Sequence, residues 1–480
     1  MSDRISMHEH STRRRAHAHG RLRQRAHRML HPECGWPAQL RRIRRRALIG
    51  GAFLALAAIP VVVFALVGLP HVIRGPLVRN VVTEGVDAAQ FAPERAGFST
   101  TFALLTGTAL TSGNHAEILT NGDETFPRLW ADLRAARRSI TVQMYYITPS
   151  TVADTMVAIL AERARAGVDV YFLHDAFGAK ELPARLRDTL RAAGVRAAEF
   201  GPMRWYALDR ANHRSHVRGI VVDGRVAYTG GFGLDDKWLG AGRRTTEWRE
   251  TNVRFAGPSV VSLQALFVAK WSEAVGELLV SERLLPDTGV ATPTFPAIAD
   301  AALVSSPPLG GSTTAERLLA LSIASARRRL YISNAYFVPH ADFVALLARA
   351  ARRGVDVRIL TSGPESDVES TRLAGHRVYP TLLAAGVRIW EYRPTTMHAK
   401  TLVVDDIWSS VGTANFDNRS LAYNTEVAFV ARDRVMARVL DSLFLDDLRF
   451  ADEVRLPAFE RRGWVMRLRE RAAGIIGRIL

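Results

Sequence analysis

At 480 residues with 48% hydrophobic side chains, the chain is long enough for two ordinary domains or one large duplicated one, and a sizeable buried core is available to it. Its formal net charge is +17, and residues 1–46 carry thirteen Arg against Asp3, Glu9 and Glu33, a front-loaded excess that suits an anionic membrane surface better than a nucleic acid. Cys34 is the single cysteine, which excludes an intramolecular disulfide and a cysteine-rich zinc site.

Residues 1–46 are rich in Arg and His without apolar periodicity, the composition of a disordered, solvated tail. Its pairs His8/His10 and His17/His19 have a metal-ligand flavour, but solvated histidines are the simpler expectation. From Ala47 to Leu69 no charge occurs, and 23 residues at 1.5 Å each cross a hydrocarbon core of about 30 Å, so a transmembrane helix is predicted there. A buried helix or a cleaved leader is the alternative, although the apolar run exceeds the usual leader length. Pro60 would kink such a helix without forbidding it. Arg41, Arg42, Arg44, Arg45 and Arg46 precede the span and only Arg74 and Arg79 follow closely, which predicts a cytoplasmic N-terminus.

From about Ala116 the chain repeats itself. SITVQMYYIT, AERARAGVDVYFL, LRAAGVRAAEF and HVRGIVVDGRVAYTGGFG are answered in order by RLYISNAYFVP, LARAARRGVDVRIL, LLAAGVRIWEY and HAKTLVVDDIWSSVGTAN. Each half predicts a β-rich run, a helix ending at a glycine (Gly167, Gly354), a Val-rich strand, a second helix ending at Gly194 or Gly386, and a histidine segment. Strands alternating with helices predict an α/β fold with helix-covered sheets. The expected domains are 1–46, a basic tail; 47–69, the span; 103–300 and 313–456, the two halves; and 457–480, a C-terminal amphipathic helix. Ser305 to Ser312 reads as the linker between the halves. Residues Gly201 to Asn212, with Trp205 and Tyr206, are extra in the first half and read as an acceptor-selecting loop. In the last segment Val465, Leu468, Ala472, Ile475, Ile476 and Ile479 form one helical stripe among arginines, which fits either an anionic lipid surface or packing on the domain.

The segment His398-x-Lys400-x4-Asp405, followed by Gly412-Thr413-x-Asn415, resembles the phospholipase D superfamily signature. Its flanks NAYFVP, RRGVDVRIL, AGVRIWEY, FDNRS and NTE resemble bacterial cardiolipin synthases. The resemblance covers most of residues 116–450. It implies a duplicated phospholipase D-like domain, two mixed β-sheets flanked by helices and related by a pseudo-twofold axis, in addition to the N-terminal transmembrane helix. Residues two apart on a strand share a face, so His398 and Lys400 can address one phosphate. Imidazole is a nucleophile at neutral pH, a second imidazole can protonate the leaving alkoxide, and an ammonium can neutralise the non-bridging oxygens.

In the first half His216, Arg218 and Asp223 stand at the motif positions, with Arg in place of Lys. Gly233 stands where an Asn is expected. Arg keeps the charge but is a planar fork, so this half is either a working variant or one of altered activity. Lysine is otherwise scarce, with only Lys180, Lys237, Lys270 and Lys400 present, and each kept lysine asks for a reason. Counted from His213, the same spacing lands on Ser215 and Ile220, so His213 is set aside.

The family pattern implies His216 as nucleophile, His398 as general acid, and Asp223 and Asp405 behind the motif, Asp405 orienting a histidine through an indirect hydrogen bond. Asn415 and Glu426 are expected to contact substrate, with a surface role as the alternative for Glu426. No Gly-x4-Gly-Lys-Ser/Thr and no His-Glu-x-x-His occurs. The resemblance therefore implies no metal, no cofactor and no nucleotide, a phosphatidylglycerol substrate, a membrane partner, no nucleic acid, and a single-pass protein of a bacterial inner membrane. The expected reaction passes a phosphatidyl group between two phosphatidylglycerols. A phospholipase, a nuclease on the same scaffold and a non-catalytic membrane protein are the alternatives.

Overall fold

The computed structural model describes residues 38–63, 65–66, 78, 81, 91–202, 213–285, 294–308 and 312–476. The histidine pairs of the tail, Cys34, Arg74 and Arg79, nearly all of the extra loop of the first half, and Ile479 lie outside them. The chain divides into two units, Met1–Leu69 and Pro70–Leu480. In the first, a helix runs from Ala38 to Val63 with Pro60 inside it, and its stretch Arg46–Val63 is long and apolar enough to cross a membrane. It starts before the expected Ala47 and takes residues 41–46 into the helix, because arginine is a good helix former.

In the second unit, one seven-stranded sheet is built from β1 (His115–Thr120), β2 (Ser139–Met144), β3 (Asp169–Asp175), β4 (Arg196–Phe200), β6 (Gly219–Val222), β7 (Val226–Gly230) and β8 (Thr251–Ala256). Its order is β1-β8-β7-β6-β2-β3-β4. The other sheet contains β9 (Asp300–Ser306), β10 (Arg329–Asn334), β11 (Asp356–Ser362), β12 (Arg388–Tyr392), β13 (Lys400–Val404), β14 (Trp408–Gly412), β15 (Asn424–Arg432) and β16 (Ala451–Val454), and the short β5 (Arg214–Ser215) of the first half also joins it on β15. Its order is β16-β12-β11-β10-β13-β14-β15, with β9 on the far side of β15. Both sheets are mixed. β2 pairs β3 in parallel and β6 antiparallel, and β10 does the same with β11 and β13.

This correspondence moves one expected boundary. β9 pairs β15 antiparallel as β1 pairs β8, so the second repeat begins at Asp300, inside the segment given to the first half and the linker. Residues 301–304 form a short apolar run, consistent with a strand buried on both faces, that the nearby Pro307-Pro308 disguised. The helix Ala96–Thr106 likewise serves the second half: Phe98 and Phe102 pack edge-on against Trp408, at ring distances of 4.9 and 5.4 Å.

The sheets pack face to face. Val217, Val221, Val253 and Phe255 of one meet Val403, Val411, Val427 and Phe429 of the other in a single buried cluster, with the rings of Phe255 and Phe429 4.7 Å apart. Helices cover the outer faces, Thr151–Arg165 and Ala184–Ala192 on the first and Thr314–Ser325 and Ala341–Arg352 on the second. Helices Thr151–Arg165 and Ala341–Arg352 stop just before Gly167 and Gly354, whose φ values of 89° and 90° an L side chain resists.

The C-terminal helix Trp464–Ile476 docks on the second half. Buried Glu470 bonds Nδ1 of His376 at 2.9 Å, whose Nε2 meets Glu391 at 2.8 Å, and Arg462 closes on Glu470 at 2.8 Å. Ala473 is buried on the same face, while Trp464, Val465 and Leu468 stay exposed. The two expectations for this segment thus divide between two faces of one helix: it packs through Glu470 and Ala473 and leaves part of its apolar stripe facing outward.

Candidate active site

The two histidine segments meet at the seam between the sheets, each against the opposite half. Asn424 and Thr425 of β15 pair in parallel with Arg214 and Ser215 (β5), directly before His216. Reciprocally, Arg249 bridges to Met397 in parallel, and the His398 amide donates to the Arg249 carbonyl at 2.7 Å. Each parallel contact carries a glutamate to the other half's imidazole. Glu426 meets His216 Nδ1 at 2.9 Å, and Glu250 meets His398 Nδ1 at 2.6 Å. All four residues are buried. With Nδ1 donating to a carboxylate, a neutral ring holds the tautomer that leaves the Nε2 lone pair free.

Glu426, expected to touch substrate, therefore acts on a histidine and is also held by the Thr413 hydroxyl and the Asn424 amide. Glu250 was missed by sequence reasoning. Its signal is the register of the repeat, in which Gly230 pairs Asn252 as Gly412 pairs Ala428, so Glu250 and Glu426 stand at equivalent positions. A Cβ at Gly231 would lie 2.2 Å from the Glu250 carboxylate, so the glycine there admits the crossing side chain. A Cβ at Gly233 would lie 2.7 Å from the Trp238 ring. The missing Asn of the first half thus has a packing cause: an indole fills the space an amide would need.

Asp223 and Asp405 differ most from expectation. Asp405 accepts from the backbone amides of Arg327, Arg328 and Arg329 at 2.7, 2.8 and 3.0 Å. Asp223 accepts from Arg137, Arg138 and Ser139 at 3.0, 2.7 and 3.0 Å. Seven residues of extended chain separate each from its histidine, about 23 Å. Neither orients an imidazole. Each pins the far end of the histidine's own strand to the start of the neighbouring central strand, in the left-handed turn position (φ 54° and 51°) that Asp tolerates.

Two cations, Arg218 and Lys400, act on both imidazoles. Arg218 is buried beside Tyr145, with Nε and Nη1 lacking any hydrogen-bond partner, an arrangement that awaits an anion. The Lys400 ammonium donates to the His398 carbonyl. Behind it lies a cavity of about 50 Å³ walled by Leu318, Ile332, Leu402 and Phe416. Burial, opposed by Glu250 and assisted by Arg218, brings the Lys400 ammonium down to about 7. Burial first, and then Lys400 and Arg218, hold His398 well below its usual range, while burial holds His216 at about 4 against the pull of Glu426. Asn415 is buried, with its amide oxygen lacking a hydrogen-bond partner. Among the described residues no cluster of His, Cys, Asp and Glu suits a metal ion.

Aromatic rings wall the site. Tyr145 stands edge-on to His216 at 4.7 Å, and Trp248 and Trp238 stand 4.9 and 5.6 Å from His398. Two imidazoles, a buried guanidinium and an ammonium thus lie within electrostatic reach of one another.

A family model described as cardiolipin synthase, PLD-like domain, matches residues 129–269 and 319–448. The cardiolipin synthase of Geobacillus kaustophilus (strain HTA426) is 34% identical over 367 residues, covering 76% of this chain and 72% of that protein. Cardiolipin synthase A of Pseudomonas putida (strain GB-1) is 32% identical over 372 residues, covering 77% and 76%. The crystal structure of phosphatidylserine synthase from Haemophilus influenzae Rd KW20 shares the fold, with a TM-score of 0.57 at 13% identity over 79% of this chain and 99% of that one.

Proposed function

The chain belongs to the cardiolipin synthase PLD-like domain family, and from that premise we propose that it moves a phosphatidyl group from one phosphatidylglycerol to another, releasing glycerol and forming cardiolipin. The observation that carries the reading is the pair of buried imidazoles at one seam, each with its Nδ1 bonded to a glutamate of the opposite half and an unpartnered guanidinium beside them. His216 Nε2 attacks phosphorus, and the bond to the glycerol oxygen breaks as His398 Nε2–H protonates it. Arg218 and Lys400 bind the non-bridging oxygens, which stay anionic through both steps, and Asn415 can add a contact only by donating from its amide N–H. The bound phosphodiester offsets the repulsion that Lys400 and Arg218 exert on a protonated His398, and Glu250 stabilises that imidazolium. Exchange of one phosphodiester for another is nearly isoenergetic, so the phosphohistidine preserves the bond energy without a nucleotide.

The same reading anchors the chain in a bacterial cell membrane by a single pass through the helix Ala38–Val63, with the arginine-rich end on the cytoplasmic side. Purified full-length protein is given phosphatidylglycerol, phosphatidylethanolamine or single-stranded DNA, and the products are resolved by mass spectrometry. Cardiolipin with glycerol is the expected outcome; phosphatidic acid alone assigns a hydrolase, and cut DNA a nuclease. His216→Asn and His398→Asn each lower turnover by at least about a hundredfold. Undiminished turnover in either variant rejects the two-histidine mechanism.

A further inference from the structure

One of the four lysines, Lys237, stands beside the site without a part in the reaction so far. It lies in the short 3-10 turn Asp236–Trp238 after β7. Its ammonium is 3.9 Å from the Tyr146 ring and 3.9 Å from the Trp248 ring, and Trp248 is the ring 4.9 Å from His398. Asp235 is its ion-pair partner at a loose 3.7 Å, and that carboxylate already accepts from the Thr148 hydroxyl at 2.6 Å and the Lys237 amide at 2.9 Å. The lysine side chain is 20% exposed, and its ammonium is held in place by the two aromatic faces. By the register of the repeat, Arg419 is the equivalent residue of the second half. Its charge acts on Tyr145, the ring beside His216. His398 thus has an outer cation, Lys237, from the opposite half, and the ring beside His216 has Arg419.

The first half-reaction needs no such cation, because the donor's one phosphate sits between the imidazoles and the departing glycerol is neutral. The second differs. The acceptor enters on the side the glycerol left, opposite His216 and next to His398, and a phosphatidylglycerol acceptor brings a phosphate of its own, one glycerol length from its reacting hydroxyl. We propose that Lys237 is the subsite for the acceptor's phosphodiester anion, and so selects a phospholipid over water or free glycerol as the receiver of the phosphatidyl group. This rests on the transferase reading above. The acceptor oxygen bonds to phosphorus as the bond from phosphorus to His216 Nε2 breaks, the electron pair returns to Nε2, and the hydroxyl proton passes to His398 Nε2. The Tyr146 and Trp248 faces keep the ammonium from folding back onto His398.

The test uses the full-length protein in phosphatidylglycerol vesicles and follows cardiolipin, phosphatidic acid and the exchange of labelled free glycerol into phosphatidylglycerol. In Lys237→Met, which keeps the apolar stem, cardiolipin formation falls about tenfold relative to glycerol exchange, the loss of one charge-assisted contact. Lys237→Arg recovers most of it. The subsite is overturned if both reactions fall together, if neither changes, or if Arg419→Met alone separates them. Wild-type protein that forms no cardiolipin overturns the transferase reading itself, whereas cardiolipin formation with an unchanged ratio in Lys237→Met removes only the subsite.

Discussion

Arg218 and Lys400 occupy the same motif position in the two halves, yet only one of them titrates near neutrality. Burial against an apolar wall brings the Lys400 ammonium to about 7, whereas a guanidinium starts so high that burial leaves it charged. A lysine lowered in this way is charged below about 7 and neutral above it, and a neutral amine no longer attracts a phosphodiester. Since kcat/KM reports the free enzyme, it falls as pH rises because His398, the acid, loses its proton, and falls more steeply through about 7 as Lys400 does; Lys400→Arg removes that second, steeper fall. Initial rates across the range check this; a profile flat through neutrality in the wild type would contradict it. His216, held at about 4, stays neutral and nucleophilic over the same range, so it contributes no acidic limb near neutrality. The exchange of Lys for Arg in the first half, legible in the sequence as a departure, becomes a division of labour once the surroundings are known: one cation that is permanent and one that is sensitive to its site.

Between residue and molecule stands the strand that carries each motif. His398 stands two residues before β13, Lys400 opens it and Asp405 lies just past its end, so the spacing of the motif is set by the length of a strand rather than the reach of a side chain. Asp405 is joined to three consecutive amides that precede and open β10. Asp405→Ala therefore lowers stability by about 2 kcal/mol through the loss of three carboxylate hydrogen bonds to partly buried amides, while turnover per folded molecule at low temperature stays close to wild type. Chemical denaturation and rates on the same preparation separate the two. Full stability with lost turnover would return Asp405 to the chemistry. The periodicity of the helices and their terminal glycines were readable because they are local; the seam to which Asp405 holds its strand is not.

Across the whole molecule, the two halves are incomplete apart. Glu426 and His216 are 210 positions apart, Glu250 and His398 are 148, and each pair joins opposite halves. Glu250→Gln and Glu426→Gln keep the shape but remove the charge that orients and stabilises an imidazolium, so each lowers turnover by at least about a hundredfold. Steady-state rates of the folded variants measure it, and wild-type turnover in either would mean that the crossing contacts serve packing alone. By itself the sequence determined the duplication, the order of strands and helices, and the residue types at the motif positions, since periodicity and spacing are properties of neighbours along the chain. Only the tertiary structure decided that Glu250 belongs with His398, that the motif aspartates face backbone, and that Asp300–Ser306 opens the second sheet. Those outcomes depend on which strand lies beside which, and sheet packing across a twofold-like seam brings together residues whose separation in sequence carries no trace of their contact.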